Sequence, residues 1–246
     1  MDGSQRKEAP MNPAISISGQ TAVVTGGSRG IGAAIAARLS EMGAQTVILG
    51  RDREALGTVA GRITANGGSC RAMVCDLESE AEVQLVARQL PPAGILVNCA
   101  GVGLMGRPLL DCTSEDWERV INTNLRGVFY VVRAFAPAMV EAGGGHIINI
   151  SSLAGKNPLR DGAIYAASKW GLNGLSYSLA EEMRAYNVRV SVICPGSVNT
   201  AFSSHEGQNT GRMLAPEDVA HAVAMLVTQQ PQSFVSEVLL RPTQKP

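Results

Sequence analysis

The sequence predicts an α/β fold, a doubly wound parallel sheet of about seven strands with helices on both faces. Short β-branched runs bounded by Gly, Asn or Asp alternate with longer Ala- and Leu-rich segments of helical period. Most of the short runs are almost unbroken in apolar character, as parallel strands covered on both faces must be. The length also fits. A chain of 246 residues with 45% hydrophobic and 17% charged residues can build one sheet around its own core, and it is neither disordered, collagenous nor coiled-coil.

In chain order, the strand runs are Thr21–Thr25, Thr46–Leu49, Ser69–Cys75, Ile95–Asn98, His146–Ile150 and Arg189–Cys194, with a seventh at Val235–Leu240. Helical periodicity covers Gly30–Met42, Arg53–Asn66, Ser79–Leu90, Ser114–Ala142, Ala163–Ala185 and Pro216–Gln229. Pro216 stands where a helix tolerates a residue without an N–H, and Glu217 and Asp218 suit the positive end of the helix dipole. No repeat, linker or break in composition divides the chain. One domain is expected over residues 15–246, preceded by a flexible tail, 1–14, that contains Pro10 and Pro13.

Charge and cysteine usage exclude several classes. Lys plus Arg and Asp plus Glu each number 21, so no bulk field draws the chain to nucleic acid or anionic lipid. The five cysteines are scattered, with no C-x-x-C pair and no histidine at ligand spacing, and are expected to be reduced thiols with no metal. No apolar run approaches the ~20 residues that cross a bilayer. The start lacks the charged-then-apolar order of a signal peptide, so the expected location is the cytoplasm.

The first strand leads into Thr25-Gly26-Gly27-Ser28-Arg29-Gly30-Ile31-Gly32 and then an Ala-rich helix. Glycines at 26, 30 and 32 allow a tight turn and close approach of backbone to a ligand, and the helix start offers unpaired N–H groups to a pyrophosphate. A ligand-free glycine turn would share the composition, but its place between the first strand and helix favours a nucleotide. The spacing T-G-x-x-x-G-x-G resembles the short-chain dehydrogenase/reductase family, whose sheet is a Rossmann fold. The resemblance implies that Gly26, Ser28, Arg29, Gly30, Ile31 and Gly32 line a nicotinamide dinucleotide.

The second strand ends Ile48-Leu49-Gly50-Arg51. Gly50 occupies the position where the family's NAD-dependent members carry Asp, which would repel the 2′-phosphate of NADP. Arg51 and Arg29 can both reach such a phosphate with fork-shaped hydrogen bonding, so the resemblance implies NADP(H). Asp52 is one residue late and is expected to begin the next helix. Asp76, with Leu77 after it, matches the family's acidic residue beside the adenine, although capping the following helix would be as ordinary. Asn98-Cys99-Ala100-Gly101 stands where the family has N-N-A-G. Cys99 departs from it, while Asn98, Ala100 and Gly101 are expected to keep the turn against the ribose.

Tyr165-Ala166-Ala167-Ser168-Lys169 is Y-x-x-x-K at a helix start, which puts both side chains on one helical face. A phenol with an ordinary pKa of about 10 is a poor acid or base near neutrality, and an adjacent ammonium should bring that value down. Ser152 lies 13 residues before Tyr165, the family's interval, and its hydroxyl can bond a carbonyl oxygen while Tyr165 donates to it. Ser151 more naturally supports the turn. Asn124 matches the family's fourth catalytic residue, implied to hold a helix bend and a water that links Lys169 to solvent. Cys194-Pro195-Gly196-Ser197-Val198-Asn199-Thr200 resembles the family's P-G-x-x-x-T, with Pro195, Gly196, Val198 and Thr200 beside the nicotinamide. Tyr165 and Lys169 belong to that cofactor wall too.

These motifs follow the family's order from about Thr21 to Leu240. They imply reversible hydride transfer between NADP(H) and a small carbonyl or alcohol compound, running as ketone reduction in the cell. The alternative from another class is a silent NADP(H)-binding sensor, whose signature would be a broken Ser-Tyr-Lys set. The family's 3-oxoacyl-carrier-protein reductases are the best general match, but the end Glu237-Val238-Leu239-Leu240-Arg241-Pro242 lacks their V-D-G-G ending. Substrate choice should lie in loops Val102–Pro108, Leu153–Gly162 and Ala201–Leu214, where His205 reads more simply as a solvent-exposed loop histidine than as a substrate contact. By resemblance, a homotetramer is expected, paired through Ser114–Ala142 and Ala163–Ala185.

Overall fold

A computed structural model describes residues 15–202 and 207–246; the expected tail 1–14 and His205 lie outside the described residues. The strands are β1 (Thr21–Thr25), β2 (Gln45–Gly50), β3 (Ser69–Val74), β4 (Ile95–Asn98), β5 (Gly145–Ile150), β6 (Val188–Pro195) and β7 (Glu237–Leu240). All pair in parallel, in the order β3-β2-β1-β4-β5-β6-β7. The helices are α1 (Gly30–Glu41), α2 (Arg53–Ala65), α3 (Glu80–Arg88), α4 (Ser114–Ile121), α5 (Gly127–Glu141), α6 (Ala163–Arg184) and α7 (Pro216–Val227). This is the expected doubly wound Rossmann sheet. From β1 the chain builds outward to β3, then returns to place β4 on the other flank of β1. The crevice where the direction reverses is where ligands of such sheets sit.

Each face of the sheet has its own apolar layer. Ile35 and Leu39 of α1, Leu56 of α2 and Val223 of α7 bury against Val24, Ile48 and Ile148 on one face. Val83 of α3, Val131 and Met139 of α5 and Leu172 of α6 bury against Val23, Leu96 and Ile147 on the other. Alternate residues of β1 thus face opposite layers, and burying each such side chain contributes about 1.5–3 kcal/mol.

Local chemistry sets the helix starts. Asp52 caps α2 by accepting from Ala55 N (3.0 Å), as its position implied, and Ser79 caps α3 by accepting from Glu82 N. Thr113 and Asp116 form a reciprocal capping box on α4. Pro216 is the first residue of α7, and Asp218 accepts from Ala215 N (2.8 Å).

Three elements differ from expectation. The single helix Ser114–Ala142 is α4 and α5 joined by a π-helical turn, Asn122–Arg126, whose wider ring displaces Asn124 out of the α-helical register. β3 is not covered on both faces: it is the sheet edge, and Val74 is 38% exposed. The last strand begins at Glu237 rather than Val235, because Val235 O instead accepts from Ser191 Oγ (2.6 Å).

That contact fixes a buried histidine. Ser191 has one hydroxyl proton and gives it to Val235, so it accepts from His146 Nε2–H (2.8 Å), and the ring is neutral with Nδ1 unpartnered among the described residues. Burial first, and Arg189 second, push His146 down to about 3. Because the folded value lies below the unfolded one of about 6.5, stability present above that pH is lost as pH falls toward 3. Urea unfolding between pH 4 and 6 should show an acid limb approaching ~1.4 kcal/mol per pH unit from this group. The limb should be shallower by one proton in His146→Asn, and an unchanged slope would refute the assignment.

Candidate active site

At the switch point the ends of β1 and β4 are tied together. Thr25 Oγ1 accepts from Cys99 N (3.0 Å) and Ala100 N (3.1 Å), which brings the glycine loop against Ala100. Gly26 has φ +69°, and a Cβ there would stand 2.7 Å from Ala100 Cα. A Cβ on Gly32 would stand 2.2 Å from Gly26 O. Glycine is therefore required at both positions, at Gly26 by conformation and contact and at Gly32 by contact. Arg29 precedes α1 in extended backbone with no side-chain cap, and the first turn of α1 holds no acidic residue, so its N–H groups remain available to an anion.

A cleft of about 1380 Å³ runs from this loop along the carboxyl ends of the strands. Gly26, Ser28, Arg29, Gly30, Ile31, Gly32, Arg51, Asp76, Leu77, Ala100, Gly101, Ser152, Tyr165, Lys169, Pro195, Gly196, Val198 and Thr200 all line it. Arg29 and Arg51 are exposed, and neither guanidinium has an ion pair among the described residues. At Gly50 a Cβ would meet nothing closer than Leu56 Cδ2 at 3.6 Å, so packing does not demand glycine there. Asp76 does not cap α3: its Oδ1 accepts from Glu78 N (3.0 Å), and its carboxylate stays on the cleft wall.

Two expected site residues stand behind that wall. Asn98, placed beside the ribose by resemblance, is buried and donates through Nδ2 to Asn149 Oδ1 (2.8 Å), with its own Oδ1 unpartnered among the described residues. Asn98 is the last residue of a central strand buried on both faces, so its side chain is spent within the sheet and not on the cleft wall. Asn149 in turn donates to Ser176 Oγ (2.8 Å), and Ser176 to Leu172 O (2.6 Å), which pins α6 to β4 and β5. Asn124 is fully buried in the π turn. Its Oδ1 accepts from Val102 N (2.8 Å), and its Nδ2 donates to Val102 O (2.9 Å) and Ser168 Oγ (3.0 Å). Its side chain therefore binds the loop after β4 to α6, at the helix bend where it was expected.

α6 carries the reacting pair. Tyr165 is buried apart from its cleft-facing side, and the Ser152 side chain stands close enough to its hydroxyl to favour the ionised phenol. Ser152 follows β5 in extended backbone and also accepts from Ala154 N (3.0 Å). Ser151 faces inward, its N–H bonded to Ile193 O (2.7 Å), and supports the turn as expected. Lys169 Nζ donates to Ile150 O (3.0 Å) and lies 5.8 Å from the centre of the Tyr165 ring. Gly101 makes room for this set, since a Cβ there would be 3.3 Å from Asn124 Oδ1 and 3.8 Å from Lys169 Nζ. Sequence reading missed Ser168, which accepts from Asn124 while donating to Tyr165 O (2.7 Å), although its place inside Y-x-x-x-K put it within reach.

The electrostatics of the pair depart from expectation. Burial pushes Tyr165 up to about 12, only partly opposed by the Ser152 side chain, and pushes Lys169 down to about 8. Desolvation dominates at both groups. Below pH 8 the pair is therefore a protonated tyrosine beside a charged lysine. On the far side, Asn199 N donates to Leu214 O (2.8 Å) and Leu214 N to Ser197 O (2.9 Å), closing the base of the loop that follows β6 and fixing Val198 and Thr200 on the wall.

Residues 20–211 match the family model for short chain dehydrogenases. An uncharacterized oxidoreductase of Staphylococcus aureus (strain MW2) is 33% identical over 225 residues, 90% of this chain and 96% of that protein. A metagenomic short-chain oxidoreductase solved in complex with NADP is 50% identical, covers 94% of this chain and all of the other, and superposes with a TM-score of 0.83. An actinorhodin polyketide ketoreductase solved with NADPH is 30% identical, covers 93% of this chain and 97% of the other, and gives a TM-score of 0.84.

The contact at Gly32 sets a sharp contrast with an open glycine. Gly32→Ala should lose about 2–3 kcal/mol in urea unfolding, because the clash is with a backbone carbonyl that cannot turn aside. Gly57→Ala in α2, where a Cβ meets nothing within 4 Å, should gain up to ~1 kcal/mol. Equal effects at the two sites would contradict the loop geometry.

Proposed function

Because the chain belongs to the short-chain dehydrogenase/reductase family and is an oxidoreductase, we propose that it is an NADPH-dependent reductase of ketones or aldehydes. The observation that carries this reading is that Ser152, Tyr165 and Lys169 line one cleft wall, with the Lys169 amine 5.8 Å from the centre of the Tyr165 ring. The NADP and NADPH bound in two structural relatives support the cofactor choice. So does this chain's own wall, where Arg29 and Arg51, without an ion pair among the described residues, line the cleft together with a glycine that packing does not require. Arg29 and Arg51 would hold the 2′-phosphate, the α1 N-terminus the pyrophosphate, Asp76 the adenine, and Thr200 and the backbone at Val198 the carboxamide.

When bound, the cofactor supplies the hydride that ends on the carbonyl carbon. The chain's own residues handle the oxygen. Ser152 donates a hydrogen bond to the carbonyl oxygen, and Tyr165 gives it a proton as negative charge develops there. The tyrosinate left behind is stabilised by the Lys169 ammonium, which must be charged at that moment. Asn124 holds Val102 and Ser168 in place, and Ser168 in turn holds the first turn of α6, so both hydroxyls keep their aim.

The substrate class takes in small ketones and 3-oxoacyl compounds. The ketoreductase likeness favours reduction as the working direction. We place the enzyme in the cytoplasm as a homotetramer, with two copies meeting along α4, α5 and α6. Trp117, Phe129 and Trp170 are exposed on these helices, and Leu110 just before them is 97% exposed.

A ketone panel followed by the near-ultraviolet absorbance of NADPH tests the reading. Tyr165→Phe should lower kcat by about 10²–10⁴-fold with NADPH affinity retained. For the parent, reduction should hold level up to about pH 8 and fall above it, because Lys169, depressed by burial, is charged only below that value while Tyr165 stays protonated. A rate that keeps rising past pH 9 would exclude this proton path. Gly50→Asp should invert the cofactor preference toward NADH by more than about tenfold in kcat/KM; retained NADPH preference would remove Arg29 and Arg51 from the phosphate.

A further inference from the structure

Strand order separates the two ends of the cleft. Arg29 and Arg51 follow β1 and β2, whereas Arg241 directly follows β7, whose end stands four strand positions from β1, roughly 19 Å away. One anion cannot be shared between those ends. The chain leaving β7 lies instead beside the reacting centre. Gly196 N donates to Leu240 O (2.8 Å), and a Cβ on Gly196 would stand 2.9 Å from Pro242 Cδ and 3.2 Å from Leu153 Cδ1, the residue after Ser152.

Two chemistries meet at this end of the wall. One is apolar. The Phe202 ring lies 5.9 Å from the Tyr165 ring although Phe202 is 41% exposed, and Gly103 has no room for a side chain because a Cβ would be 3.0 Å from both Phe202 Cε1 and Met105 Cε. The other is cationic. Arg241 and Lys245 line the cleft, are exposed, and carry no ion pair or side-chain hydrogen bond among the described residues. The carboxylate side chains on the described wall, Asp76 and Glu78, follow β3 at the opposite edge of the sheet and cannot neutralise them.

From these placements we infer that the substrate is an anionic oxo compound whose carbonyl and acid group are separated by an apolar chain. Ser152 and Tyr165 take the carbonyl, Phe202, Met105 and Leu153 the chain, and Arg241 and Lys245 the acid. β7 is two strand positions from β5, roughly 10 Å, so an α-oxo acid with both groups on adjacent carbons is too short to engage both ends. The assignment rests on the reductase reading and adds to it a substrate charge and a length.

Matched substrates test it on the full chain saturated with NADPH. kcat/KM for 7-oxooctanoate should exceed that for its methyl ester by about tenfold at low salt, mostly through KM, and should exceed that for pyruvate further. The acid-to-ester ratio should shrink with added salt and fall toward one in the double variant Arg241→Gln/Lys245→Gln. An ester reduced as well as the acid by the parent overturns the inference while leaving the reductase reading intact, and so does a ratio the variant does not move. If NADPH binds but no carbonyl compound of either kind is reduced, the reductase reading falls and takes this inference with it.

Discussion

Burial of the Lys169 amine is the constraint on which the site is built. An ammonium taken out of water needs a fixed acceptor, and for Lys169 that acceptor is Ile150 O, the last carbonyl of a central strand. To reach it, α6 must be locked against β5 at one register. The chain Asn98–Asn149–Ser176 locks α6 to the sheet interior, and Asn124–Ser168 locks its first turn to the loop after β4. The same burial that holds the amine lowers its proton affinity and raises that of Tyr165, so at rest the phenol keeps its proton, the form that a general acid starts from. Polar groups that look structural, among them Asn149, Ser168 and Ser176, are thus what keep two hydroxyls and one amine within a single arrangement.

Sheet order then divides the labour along the cleft. The β1 and β2 ends present an open helix start and two arginines, the β5 end presents Ser152, and the loops after β6 and β7 close the far side. Each strand step is about 4.8 Å, so groups that follow different strands meet different parts of one extended ligand. This is how a sheet with no charge excess overall can show cations at both ends of one groove.

Much of this was legible in the chain because local patterns carry it. The glycine spacing, the Y-x-x-x-K face and the capping residues Asp52 and Pro216 each act within a few residues, and the structure has them in those places. Other features were not legible. Apolar periodicity runs through Ser114–Ala142 without a break, so the π turn at Asn122–Arg126 leaves no mark on it; only the resemblance implied a bend at Asn124, whose side chain binds Val102 and Ser168 across the fold. Asn98 reads like a ligand contact in its motif, yet its side chain is buried against Asn149. Val74 looks like a core residue, but β3 ends at the sheet edge, which pattern alone cannot reveal.

By itself, the sequence determined the elements, their parallel arrangement, the family and the identity of Ser152, Tyr165 and Lys169, since all of these depend on short-range spacing and on glycine's freedom at a turn. Tertiary structure decided which polar residues face the cleft and which stand behind it, that desolvation dominates at Tyr165, and that Arg241 and Lys245 line the same cleft as Ser152 and Tyr165. The reason is that burial, and distance measured across strands, are properties of the assembled sheet. Neither exists along the chain until β7 lies beside β6 and Lys169 is closed off from water.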